Sequence, residues 1–122
     1  MEPFTIEASF DKPKVVLNLN QDFEISGRSL PENANMFYAP IISWLKLYAD
    51  SPNPKTNFTF HFELLSSSST KQIMKVILVL DEINKKHPIN IFWHYDVGDT
   101  DMQKMGEILQ KEVTIPFSFK AV

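Results

Sequence analysis

Cysteine is absent from the 122-residue chain, which removes disulfides, Cys–zinc sites and thiol nucleophiles together. A reducing compartment is compatible with that composition. Glycine is almost as scarce, with Gly27, Gly98 and Gly106 the only three. No phosphate-cradling loop or dinucleotide fingerprint can be built from them. No serine has the flanking glycines of a hydrolase nucleophile elbow. Positive charge is not in excess either. Lys and Arg number 12 against 15 Asp and Glu, a formal net charge of −3, whereas nucleic-acid backbones are held by basic surfaces. The longest apolar run, Val76 to Leu80, is far too short to span a bilayer. Met1-Glu2-Pro3-Phe4 carries neither the basic nor the apolar region of an export signal. These absences predict a cytoplasmic protein that engages neither nucleic acid nor membrane, and nothing in the sequence asks for a cofactor.

What is present is globular. Hydrophobic residues make up 43% and charged residues 22% of the chain. At this size the expectation is one domain over residues 1–122, able to bury about two thirds of its unfolded surface. Period-two alternation marks strands. Phe4, Ile6 and Ala8 form one such series, and Val15, Leu17 and Leu19 a second. Phe23 and Ile25 follow the polar turn Asn20-Gln21-Asp22, which predicts a hairpin. Phe58 to Leu64, Ile89 to Tyr95 and Ile115 to Phe119 alternate in the same way.

Helical spacing fills the gaps. Phe37, Ile41, Trp44, Leu45 and Tyr48 fall three or four apart, with Pro40 either opening that helix or kinking it. Ile73, Met74, Ile77, Leu80 and Ile83 mark a second helix. Val76, Leu78 and Val79 make it apolar nearly all round, so deep burial is expected. Met102, Met105, Ile108 and Leu109 mark a third, with a capping-box pattern at Thr100 and Gln103. The order is β-β-β-α-β-α-β-α-β, an α/β chain. Strands apolar on one side and polar on the other predict a mixed β-sheet with helices packed mainly on one face, its open face showing Thr59, His61, Glu63, His94 and Lys120. Strand order is not set by the pattern.

Candidate chemistry is sparse. His94, Asp96, Asp99 and Asp101 cluster after a strand. They read as residues at a strand exit and helix start, or alternatively as ligands of a metal enzyme built on His94, Asp96 and Asp99. His61 and Glu63 share a strand face but lack a third ligand. Gly27-Arg28-Ser29-Leu30-Pro31-Glu32-Asn33 reads as a plain strand-to-helix loop, or as a recognition loop at the carboxyl end of the sheet. The run Ser66-Ser67-Ser68-Ser69-Thr70 is the most unusual feature. Ser69 with Gln72 matches a capping box, but a cap uses one or two hydroxyls of the five. A hydroxyl at a parallel-strand exit is also reachable by a kinase, and phosphorylation would add about −1.5 to −2 charges there.

The segments Ser29-Leu30-Pro31-Glu32-Asn33, Phe37 to Leu45 (FYAPIISWL), Ser66 to Lys71 (SSSSTK) and Trp93-His94-Tyr95 resemble those of the SiaC family of bacterial regulatory phosphoproteins, as does the closing Ile115-Pro116-Phe117. The resemblance spans nearly the whole chain, most clearly residues 25–119. It implies a single STAS-like, SiaC-like regulatory domain without catalysis, acting in partner switching. A cognate serine/threonine kinase would phosphorylate one hydroxyl, and a PP2C-type phosphatase would remove the phosphate. The unphosphorylated form would bind and activate a GGDEF diguanylate cyclase, controlling cyclic-di-GMP and biofilm behaviour. An anti-sigma-factor antagonist acting on transcription is the related alternative. The family's acceptor precedes the motif lysine by four positions. Lys71 sets that register, so the resemblance implies Ser67, with Ser66 and Ser67 standing where the family usually has Asn and Thr. The expected partner surface comprises Ser66, Ser68, Ser69 and Lys71 beside the acceptor, Arg28, Pro31, Glu32 and Asn33 in the loop, and His94 and Tyr95 on the fifth strand.

Overall fold

The computed structural model describes residues 1–122. The chain forms β1 (Phe4–Ile6), β2 (Lys14–Leu17), β3 (Phe23–Ser29), α1 (Ala34–Tyr48), β4 (Thr56–Leu65), α2 (Ser67–Asn84), β5 (Ile89–Tyr95), α3 (Thr100–Gln110) and β6 (Phe117–Ala121). The six strands lie in one sheet in chain order, β1-β2-β3-β4-β5-β6. β1, β2 and β3 are antiparallel neighbours, while β3 through β6 run parallel. The β2–β3 hairpin closes as predicted. The Asn18 side chain accepts from the Asn20 N–H at 3.0 Å, and the Asn18 carbonyl accepts from the Gln21 N–H at 3.0 Å.

Three parallel crossovers advance across the sheet in one direction. Such connections are right-handed, so all three helices fall on the same face. One core forms between that face and the helices. Val15, Leu17, Phe23, Ile25, Phe58, Phe60, Phe62, Ile91 and Trp93 supply the sheet side, and Tyr38, Ile41, Leu45, Ile73, Ile77 and Leu80 supply the helix side. Phe58 stacks on Phe60 with centroids 4.5 Å apart, and Phe23 meets Tyr48 edge-on at 5.0 Å. The polar residues of each strand lie on the opposite, uncovered face. Lys14, Ser26, His61, His94 and Lys120 are in register across five strands there.

Of the two readings of Pro40, a helix opening there is corrected: α1 starts earlier, at Ala34, and runs through Pro40. Pro40 and Met36 are both exposed, so the carbonyl that the missing N–H would have bonded lies on the solvent side. α2 is not apolar all round, because Leu78 is 47% exposed and shares the outer side with Lys71 and Lys75. The caps also differ. α2 is capped by Ser66 rather than Ser69, and α3 by Asp99 rather than Thr100. No helix is long and apolar enough to cross a membrane.

Candidate functional site

β3, β4 and β5 all deliver the chain to the same edge of the sheet, and each is followed there by a helix N-terminus. Every one of those starts is capped by a side-chain oxygen. Asn33 accepts from the Met36 N–H at 3.1 Å, Ser66 from the Ser69 N–H at 3.1 Å, and Asp99 from the Met102 N–H at 3.0 Å. Short polar residues do this because the first turn of a helix has N–H groups without intrahelical partners.

The serine run is resolved residue by residue. Ser66 is extended and uses its hydroxyl as the cap, while its own N–H donates to the Ser29 carbonyl at 3.0 Å. The Ser68 hydroxyl is exposed and sits 3.2 Å from that of Ser66. Ser69 is fully buried and accepts from the Ser29 hydroxyl at 2.9 Å. The Thr70 hydroxyl donates to the Ser66 carbonyl at 3.0 Å. Ser67 alone in the run has a hydroxyl that is exposed and makes no hydrogen bond within the chain. One turn further along the same helix, Lys71 is exposed and free of any ion pair.

Two expected partner residues are excluded by burial. Ser69 is fully buried and bonds inward to Ser29, and Pro31 is buried too; both leave little side chain for a docking protein. Glu32 is exposed, whereas Asn33 is committed to capping α1. Arg28 is held by three contacts. Its Nε donates to the Phe10 carbonyl at 2.8 Å, its Nη1 to Glu63 at 3.1 Å, and its guanidinium lies 4.5 Å from the centre of the Phe10 ring. A β-bulge aims it there. Gly27 pairs with Phe62 and Arg28 with Leu64, leaving Glu63 as the extra residue. Gly27 has φ of +107°, a conformation that side chains with a Cβ resist.

Phe10 escapes sequence reasoning. It is 79% exposed, yet its loop is ordered by Arg28 and by the Leu30 N–H bond to the Asp11 carbonyl at 2.9 Å. The only signal is an aromatic that continues the Phe4, Ile6 and Ala8 alternation past the end of β1. Next to the serine turn, Leu64, Leu65, Met102 and Met105 floor a shallow cavity of about 290 Å3, with Asp99 and Asp101 on its rim.

His94 and Tyr95 part company. Tyr95 is half-buried against the core, while His94 lies on the uncovered face, opposite α2. Its ring is 6.2 Å from that of His61, and His61 contacts Asp96 at 2.8 Å. Partial burial lowers the His94 pKa, the neighbouring His61 and Lys120 lower it further, and Glu24 opposes them. His94, Asp96 and Asp99 are not brought together, because Asp99 is occupied at the start of α3 and no group of three or more potential ligands converges.

The profile described as SiaC family regulatory phosphoprotein matches residues 6–122. An uncharacterized protein of Pseudomonas aeruginosa strain UCBPP-PA14 is 26% identical over 99 residues, covering 80% of this chain and 78% of that protein. The crystal structure of apo-SiaC from Pseudomonas aeruginosa superimposes with a TM-score of 0.90 at 21% identity, over 99% of this chain and 100% of that one. SiaC in its complex with the diguanylate cyclase SiaD, described there as SiaD's activator, gives 0.88 at 20% identity over 98% and 99% of the two chains.

Proposed function

The chain belongs to the SiaC family of regulatory phosphoproteins, and from that premise we propose that it is a non-catalytic cytoplasmic switch whose phosphoacceptor is Ser67. In this reading a cognate serine/threonine kinase modifies Ser67 and a PP2C-type phosphatase reverses the modification. The unphosphorylated form binds and activates a GGDEF diguanylate cyclase, as Pseudomonas aeruginosa SiaC is described as doing for SiaD. The observation that carries the reading is the exposed, unbonded Ser67 hydroxyl at the carboxyl edge of the parallel strands. In this reading the docking surface comprises Ser66, Ser68, Lys71, Arg28 and Glu32, together with the cavity lined by Leu64 and Met102. A phosphate would add about −1.5 to −2 charges to an edge that already holds Glu32, Glu63, Asp96, Asp99 and Asp101. A hundredfold loss of partner affinity requires only about 2.8 kcal/mol.

Intact-mass analysis and fragment sequencing after incubation with the kinase and ATP test the assignment. One phosphate is expected, on Ser67, and none in Ser67→Ala. That variant should fold normally and hold the cyclase regardless of kinase, while Ser67→Glu should bind it more weakly. Phosphate on Ser68 in the native chain would overturn the assignment.

A further inference from the structure

Taking Ser67 as the acceptor, we propose that Ser29, Tyr38 and Ser69 are its positioning residues: a buried string of hydroxyls that clamps the first turn of α2 on both sides of Ser67. A phosphoryl group placed there then sits on an intact helix start and alters the surface without reshaping the fold.

Ser29, at the end of β3, grips the turn twice. Its carbonyl accepts from the Ser66 N–H at 3.0 Å, and its hydroxyl donates to Ser69 Oγ at 2.9 Å. A serine hydroxyl has one hydrogen. Because Ser29 uses its hydrogen on Ser69, the 2.6 Å contact with Tyr38 must be donated by the tyrosine. The string thus has a direction, from Tyr38 of α1 through Ser29 of β3 to Ser69 of α2. All three residues are 0% exposed, so removing one member leaves its neighbour a buried hydroxyl short of a partner. Aliphatic side chains would fill the same space without any need for partners, yet three hydroxyls meet there, under the one turn whose outer side carries the free serine. Ser66 and Ser69 are fixed, and Ser67 and Ser68 between them face solvent.

The clamp has a measurable consequence for the phosphate. An anion at a helix N-terminus is favoured, and Lys71 stands four residues on, in the orientation that suits an acid-to-base pair along a helix. On a clamped turn the second ionisation of phosphoserine 67 is drawn below its ordinary value of about 6. If the turn frays, it returns.

Phosphoserine can be encoded at position 67 directly, without the kinase, and its phosphorus resonance followed through a pH titration. The expected midpoint lies about 0.2–0.7 of a pH unit below that of a synthetic phosphopeptide spanning residues 63–75. In Tyr38→Phe it should move back towards the peptide value, and amide exchange across residues 66–70 should quicken. Ile77→Val, a change in the core away from the string, controls for stability and should leave both readouts in place. Ser29→Ala should exceed Tyr38→Phe, and Tyr38→Phe, which keeps the ring, decides the matter if Ser29→Ala does not fold. Equal behaviour of Tyr38→Phe and Ile77→Val in both readouts would overturn the clamp. Failure there would leave the Ser67 assignment standing, since mass analysis reads that separately.

Discussion

Tyr38 makes its role visible through its own titration. Burial pushes its phenol up to about 12, opposed by the Ser29 hydroxyl, which can turn its hydrogen to the phenolate. An unfolded tyrosine ionises near pH 10, so between about 10 and 12 the native chain retains a proton that the unfolded chain releases. Tyr38's contribution to stability is complete below that window and disappears as pH rises through it. Across it, the unfolding free energy of the native protein should drop by about 2–3 kcal/mol more than that of Tyr38→Phe, read as urea midpoints at each pH. Parallel curves would place the phenol in contact with solvent. Little of this was legible beforehand. The exposed acceptor could be anticipated from a surplus of hydroxyls, but Ser29 and Ser69 lie 40 positions apart, and hydrogen bonds at that range leave no local pattern. The burial of Pro31 and Ser69 is hidden for the same cause, since composition does not reveal which side of a turn faces inward.

At the level of elements, alternation located every strand, and the three helices followed from their spacing. The errors fell at ends. In Ser66-Ser67-Ser68-Ser69 the capping-box pattern points to Ser69 with Gln72, yet Ser66 is the cap because Ser69 is drawn inward to Ser29. α3 shows a different blind spot. Gly106 looks like a weak point in a helix, yet a Cβ there would lie 2.5 Å from Trp93 Cδ1. The helix backbone rests on the indole, whose N–H also donates to the Met102 carbonyl at 2.9 Å. Helix propensity alone predicts that Gly106→Ala stabilises by about 1 kcal/mol. Overpacking against Trp93 should reverse that sign and cost about 1–3 kcal/mol. A raised melting temperature would show that α3 is not seated on Trp93.

Across the whole molecule one core joins the sheet to all three helices. Ile77, fully buried on α2, lies within it. Ile77→Ala should cost about 2–5 kcal/mol. The loss should be shared, with tryptophan fluorescence and far-UV circular dichroism reporting the same shifted midpoint, as a two-state domain requires. Near-neutral stability would remove α2 from the centre of the fold. Strand order was the global property that alternation left open, because each strand reads alike whichever neighbour it takes.

That order, identical to the order of the chain, bears on how the protein is made. No strand has to be threaded between two that have already paired. As the polypeptide leaves the ribosome, the β1–β2–β3 meander offers a free margin to β4, and each emerging β-α unit extends the assembly by one row. Synthesis from the N-terminus and growth of the sheet therefore proceed in the same direction.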